Sequence, residues 1–388
     1  LCSGWACGIA HGGSLRMVMS GKRSATKLER SGIHYTSADA IGYKRLGHGR
    51  RFRYLKRSGG FVTGKNEIDR IRKLAIPPAW TEVWISASPH GHLQVTGRDA
   101  RGRKQYRYHP IWRERQEQTK FEHMLEFGAA LPALRRQVAR DLKGAPDSRE
   151  TVLAVVVRLL ELTLIRVGNE EYVRENHSYG LSTLRNRHVR VHGKTLQFHF
   201  RGKSGRIHQV EVHDRRAAAV VRRLHDLPGQ ELFQYRRSDG RLVALTSGEV
   251  NDYLRQTTSR DITAKDFRTW AASLEAARLL GLSRERDAKW TKSTVNTIIA
   301  EVAEKLGNTP AICRRSYIHP DLIGTYLKRE AEWPISLHAM KNSSSTKRAF
   351  EKSFIRFLRK LRRTKPMSLR QSLKRSLAFP RMHAAAGG

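Results

Sequence analysis

Five stretches in the second half of the chain carry side chains suited to chemistry on a phosphate. Arg166 follows an apolar run and precedes Val167-Gly168, and Lys203 lies within Gly202-Lys203-Ser204-Gly205. Lys265-Asp266-Phe267-Arg268-Thr269 places Lys265 and Arg268 three apart, hence on one face of a helix. Asn308 stands in Gly307-Asn308-Thr309-Pro310, and Tyr317 follows Arg314, Arg315 and Ser316. Together these types can break a phosphodiester without a metal. Attack on phosphorus gathers negative charge on its oxygens, which fixed cations must meet. The planar arginine fork bonds two oxygens and stays protonated. A lysine can protonate the leaving 5′ oxygen, and a hydroxyl can be the nucleophile. With tyrosine as nucleophile the ester bond is kept in the intermediate, so resealing requires no ATP.

Each stretch alone also has a plain reading. Arg166 at the end of an apolar helix reads as an ion-pair residue, since its burial is costly without an anionic partner. Lys203 at a hairpin tip reads as solvated, and Lys265 with Arg268 as a basic helix face. Gly307 and Asn308 read as a helix C-cap with Pro310 opening the next helix. Tyr317 is one of 11 tyrosines and means nothing in isolation. A phenol titrates near ~10 and no carboxylate adjoins it; either the nearby arginines lower its pKa or water takes the proton.

The elements that must position these residues follow from periodicity. Residues from about Gly32 to Trp112 are glycine-punctuated with short alternating runs, which predicts a β-rich region. A helix is expected over Lys65–Leu74, stopped by Ile76-Pro77-Pro78, and a hairpin after Leu93–Thr96. From Gln116 the period becomes helical. Helices are predicted over Phe121–Leu142, Arg149–Ile165, Arg215–His225, Ser247–Thr257, Thr263–Leu279, Thr291–Leu306, Pro310–Arg315 and Pro320–Lys328. A β-meander interrupts them, with strands Val189–His192, Thr195–Arg201 and Arg206–Val212. The expected class is α+β: a small β-rich N-terminal lobe and a larger, mainly helical lobe whose three-stranded antiparallel sheet carries Lys203. The boundaries expected are 1–30 (a disordered or non-native leader, with Met17 or Met19 as a start), 31–113, 114–332 and a basic tail 333–388.

Composition narrows the partner. The 388 residues carry 74 Lys and Arg against 35 acids, a net charge of +39. Such a charge strains a compact fold unless a polyanion is near. From Leu337 onward 14 Lys/Arg face a single acid, Glu351. Phe350, Phe354, Phe357, Leu358 and Leu361 there approach helical spacing, so the tail reads either as an amphipathic helix on DNA or as a disordered basic arm. No apolar run reaches the ~18 residues of a membrane span. The three cysteines form no CxxC pair, which argues against a zinc ribbon or disulfide framework. No GxxxxGK[ST] loop occurs, consistent with a reaction that uses no nucleotide.

In order and spacing, Arg166, Lys203, Lys265-Asp266-Phe267-Arg268-Thr269, Gly307-Asn308 and Tyr317 resemble the catalytic domain of type IB DNA topoisomerases, in the short form of poxviruses and bacteria. Ile76-Pro77-Pro78-Ala79-Trp80 and the run from Thr96 through Arg103-Lys104-Gln105-Tyr106 extend the resemblance over about Gly32 to Glu332. It implies that Tyr317 forms a 3′-phosphotyrosyl bond and that Arg166 and Arg268 hold the non-bridging oxygens. Lys203, helped by Lys265, would protonate the 5′ oxygen. Asn308 stands where many members have His; an amide still donates a hydrogen bond but cannot move a proton, so its role would be electrostatic. Tyr172 and Arg314 would touch flanking DNA, while Arg103, Lys104, Gln105 and Tyr106 would enter a groove or grip the backbone. The resemblance further implies a monomeric, cytoplasmic, nucleoid-associated enzyme without cofactor or metal. It would close a C-shaped clamp round duplex DNA, relaxing supercoils without ATP.

Three rival readings stand against this one. A tyrosine recombinase would carry His-x-x-Arg where this chain has Lys265 to Arg268, and His at 308. A non-catalytic DNA-packaging protein would explain the charge alone. A metal-dependent nuclease would need a carboxylate cluster that is missing; His208 and His213 on a strand read as structural or phosphate-facing.

Overall fold

A computed structural model describes residues 32–47, 51–285, 291–328, 333 and 344–364. The expected leader and alternative starts at Met17 and Met19 lie outside the described residues, as does the chain beyond 364. Contacts divide the protein into two compact units that meet at Thr119/Lys120.

The first unit is built on a five-stranded antiparallel sheet. Strands β1 (Gly42–Leu46), β2 (Arg53–Lys56), β3 (Thr81–Ser86), β4 (Leu93–Arg98) and β5 (Lys104–Tyr108) stand in the order β2-β1-β3-β4-β5. Helix α1 (Lys65–Lys73) turns Ile71 into a small core with Val83, Ile85 and Val95, bordered by Tyr43, Tyr54, Leu74, Ile76 and Trp80. A tight turn joins β4 to β5. Asp99 organises it by accepting from the Arg101 and Arg103 amides.

Helix α2 (Pro110–Asp141) begins in this unit and continues into the second. Helical structure thus starts earlier than the sequence pattern at Gln116 indicated. His109 breaks the strand and Pro110 fits the first helical position, where its missing N–H costs nothing.

The centre of the second unit is α3 (Arg149–Thr163). Ser148 caps it by accepting from the Thr151 amide, and Val152 through Val157 are all at most 2% exposed. A helix apolar on every side has to be buried on every side. It stops at Leu164, whose φ of +57° is left-handed. Arg166 therefore lies beyond the helix, not at its end as expected. The carbonyls of Arg166 and Val167 accept from the Leu181 and Ser182 amides, which holds this stretch extended.

Helix α4 (Glu170–Asn176) follows, then the meander β6 (Val189–His192), β7 (Thr195–Arg201) and β8 (Ile207–His213), in the order β6-β7-β8. Leu196, Phe198 and Phe200 are buried while Gln197, His199 and Arg201 are exposed. The β7–β8 turn runs over Lys203–Gly205 with Ser204 at φ +64° and Gly205 at +76°. After α5 (Arg215–His225) comes a hairpin, β9 (Gln234–Arg236) and β10 (Leu242–Ala244), that periodicity did not reveal. Strands of three residues are too short to show alternation.

Helices α6 (Ser247–Thr258), α7 (Ala264–Glu285), α8 (Lys292–Lys305), α9 (Pro310–Ser316) and α10 (Pro320–Leu327) complete the wall around α3. The α8–α9 link turns at Gly307, φ +61°, and Thr309 caps α9 ahead of Pro310.

Helix α11 (Ser344–Thr364) resolves the alternatives left open for the start of the basic tail. Phe350, Phe354, Phe357 and Leu358 are 0–5% exposed within the main core, and Phe354 packs edge-on against Trp270 of α7 at 5.3 Å. Arg135 of α2 is held by Glu351 of α11 and Glu161 of α3, each at 2.7 Å. The apolar face of α11 is thus covered by the protein itself, while Lys352, Arg356, Arg359 and Lys360 stay exposed.

Candidate active site

Arg166, Arg268, Asn308 and Tyr317 converge in the second unit, brought there by four separate segments. Arg268 is the centre. Its place one turn into α7 drives it inward, leaving it 5% exposed. One Nη donates to the Leu164 carbonyl, and the other to the Leu306 carbonyl at 2.6 Å. Each acceptor lies two residues before another member of the cluster, Arg166 or Asn308. The guanidinium therefore ties together the two segments that carry them. Arg166 Nη2 then donates to Asn308 Oδ1 at 2.7 Å.

The phenol ring of Tyr317 lies with its centroid 5.3 Å from Arg268 Cζ and 5.5 Å from Lys120 Nζ of α2. Its backbone is fixed from α7. The fully buried Ser273 hydroxyl donates to the Tyr317 carbonyl at 2.8 Å and accepts from the His319 amide at 2.9 Å.

The electrostatics are those of an anion site. Among the described residues neither Arg166 nor Arg268 has an ion pair with a carboxylate. Burial and the neighbouring charge of Arg166 both work against protonated Arg268, lowering its pKa, with Tyr317 opposing them. Burial raises the phenol pKa of Tyr317, but the positive charges of Arg268, Arg166 and Lys265 outweigh it and bring the pKa below 10. Two buried donors, Arg268 Nε and Asn308 Nδ2, have no acceptor. An unpaired buried donor is costly, and a phosphate oxygen or a water would complete either of these.

A family model for the eukaryotic DNA topoisomerase I catalytic core matches residues 109–341. One for the bacterial DNA topoisomerase IB N-terminal domain matches residues 51–99. The chain belongs to the type IB DNA topoisomerase family. DNA topoisomerase 1B of Acanthamoeba polyphaga mimivirus is 33% identical over 265 residues, 66% of this chain and 79% of that protein. DNA topoisomerase 1B of vaccinia virus (strain Western Reserve) is 23% identical over 229 residues, 58% of this chain and 70% of that protein.

As a member of this family the chain presents its remaining expected site residues as follows. Lys203 is exposed at the β7–β8 tip, and its side chain has no hydrogen bond or ion pair among the described residues. Lys265 is exposed one turn before Arg268. Tyr172 on α4 is 50% exposed. Arg314 on α9 is exposed and donates to Asn296 Oδ1 at 3.2 Å.

In the first unit the four expected DNA residues differ in freedom. Arg103 pairs with Asp99 at 2.6 Å, and Gln105 donates to the same carboxylate at 2.9 Å. The Arg103 hydrogen bond is the main reason that the Asp99 pKa falls to about 2. Lys104 reaches over the Tyr106 ring at 5.9 Å. Tyr106 is 48% exposed and stacked on Tyr108, their planes 11° apart.

Sequence reasoning missed Ser273 and Lys120. Neither stands in a recognisable pattern; each matters through a contact to Tyr317 that only the folded chain creates. His213 is exposed and occupied with Thr195 at 2.8 Å and Glu211 at 3.1 Å, a surface role.

Proposed function

We propose that the chain relaxes supercoiled duplex DNA without ATP, by transient cleavage of one strand through a covalent bond from Tyr317 to the 3′ phosphate. The carrying observation is the cluster itself. Two arginines without a carboxylate partner, two orphan buried donors and a phenol of lowered pKa face one another from four segments.

Arg166 and Arg268 hold the non-bridging oxygens, and Asn308 Nδ2 donates to one of them. Arg268 also favours the phenolate that attacks. Lys203 and Lys265 serve the 5′ oxygen: a lysine at a hairpin tip has the reach to deliver a proton as that oxygen leaves. After cleavage, torsion in the DNA turns the free 5′ end, which then attacks the phosphotyrosine and restores the strand. The supercoil supplies the energy.

Tyr172 and Arg314, with Arg103, Lys104, Gln105 and Tyr106 of the first unit, contact flanking DNA. Both units grip the duplex as a clamp, and the enzyme acts as a monomer on the nucleoid. Most of the affinity comes from phosphate contacts, so it weakens steeply with salt. Among the described residues no helix is long and apolar enough to cross a membrane, and no three metal-ligating side chains cluster.

The test is a suicide DNA substrate that traps the adduct, followed by mass mapping of the labelled peptide. The label is expected on Tyr317, with plasmid relaxation persisting in EDTA. A Tyr317→Phe protein that relaxes plasmid at the normal rate would end this reading. Strand exchange between paired sites would point to a recombinase instead.

A further inference from the structure

His208 lies on the inner face of β8, in register with Phe200 of β7 and stacked on it at 5.1 Å with planes 10° apart. Two glycines make room for its ring. A Cβ at Gly202 would lie 2.5 Å from the imidazole Cδ2, and one at Gly307 would lie 3.1 Å from Cε1. Gly202 has φ −100°, a conformation open to any residue. Its missing side chain is therefore explained by the imidazole, not by the backbone. Gly202 immediately precedes Lys203, and Gly307 immediately precedes Asn308. The ring is thus lodged between the two segments that present these side chains to the phosphate.

Neither ring nitrogen has a hydrogen-bond partner among the described residues. The ring is half-buried and its nitrogens are not fully enclosed, so a ligand oxygen reaching them takes the place of water. Burial, then the charges of Arg166, Arg268 and Arg206, lower the imidazole pKa from its ordinary value and so favour the neutral ring, which has one N–H to give.

We propose that His208 is a further catalytic residue, donating a hydrogen bond from its imidazole to an oxygen of the scissile phosphate. It supplies from β8 the ring donor that Asn308 does not carry. The inference rests on the reading of the cluster as the strand-cleaving site. Each can fail separately: a wild-type chain that forms no Tyr317 adduct sinks that reading.

The experiment measures the single-turnover cleavage rate constant and the DNA affinity of two variants in the full chain. His208→Phe keeps an aromatic ring to stack on Phe200 but has no donor. His208→Gln loses the ring and keeps an N–H. A donor role predicts that Phe slows cleavage about 100-fold, with affinity unchanged within about twofold, because removing one oriented donor has that scale. Gln then retains more cleavage than Phe. A packing role predicts the opposite order, and Phe at or above Gln overturns the proposal. If the Phe variant does not fold, Gln is compared with His208→Met, similar in length, uncharged and donor-free. Gln ahead supports the proposal, and Met equal or ahead refutes it. Asn308→His introduced into the Phe background is expected to restore part of the lost rate.

Discussion

Replacing Arg268 with alanine should abolish most cleavage while barely changing stability. Arg268 offers five N–H donors. The carbonyls of Leu164 and Leu306 each take one, and Nε–H is buried and unpaired. Loss of that oriented donor and its charge should cost about 10²–10³ in the cleavage rate constant. Two backbone bonds to a charged group also disappear, about 1.5–3 kcal/mol each. Against this, a buried cation without a counter-ion carries a desolvation penalty of several kcal/mol, which the variant no longer bears. The two contributions nearly cancel, so the melting temperature should move by no more than about 2–4 °C for a chain of this size. Arg268→Lys keeps a charge but not the fork. One ammonium cannot reach both carbonyls and the phosphate, so lysine should behave like alanine. The pH profile adds a signed check. Arg268 favours the Tyr317 phenolate, so its removal should shift the rising limb of the cleavage rate to higher pH. The assay is single-turnover adduct formation on suicide DNA, across pH, beside a thermal melt. Cleavage within about threefold of wild type, under 1 kcal/mol in barrier, would refute the reasoning. So would a lysine variant of normal rate.

Three further outcomes follow from contacts away from the phosphate. Ser273→Ala leaves the His319 amide without its acceptor and frees the Tyr317 backbone; stability should drop about 1–3 kcal/mol and cleavage up to about 100-fold through misplacement, read from denaturant melts and adduct kinetics. Glu351→Ala removes half of the carboxylate clasp on Arg135; a loss of about 3 kcal/mol or less is expected, with earlier proteolysis within α11, and an unchanged melt and digest would show that the clasp contributes nothing. Burial and the charges of Arg187, Arg185 and His199 bring the His188 pKa down to about 4, and its Nδ1 accepts from the Arg185 amide. The unfolded chain binds this proton more readily, so the stability from neutral His188 is complete above pH 6.5 and is lost as pH falls toward 4. His188→Asn keeps an acceptor that does not titrate there, and should flatten that part of the melting-temperature profile.

Much of the second unit was legible because its elements obey one period at a time. The three meander strands and α5 stand within a residue of their expected bounds, since alternation and amphipathicity are local consequences of strand and helix geometry. Boundaries failed where a single residue decided them. Leu164 turns left-handed and releases Arg166 into an extended segment, although leucine carries no signal for that conformation. The beginning of the tail stayed ambiguous for a related reason. A basic stretch with spaced phenylalanines is a helix only if something covers the phenylalanines, and that cover, Trp270 and its neighbours, is encoded far away.

The sequence by itself offered the side chains whose chemistry suits the candidate site, because charge type, hydroxyl chemistry and motif order are properties of the chain. Tertiary structure alone decided how they act on one another. Arg268 spans the carbonyls of Leu164 and Leu306, Ser273 clips the backbone of Tyr317, and His208 enters between Gly202 and Gly307. Except for Gly202, six residues from His208 in the same hairpin, these contacts join segments far apart in the chain. Each arises because burying α3 on all sides forces the segments around it into one place.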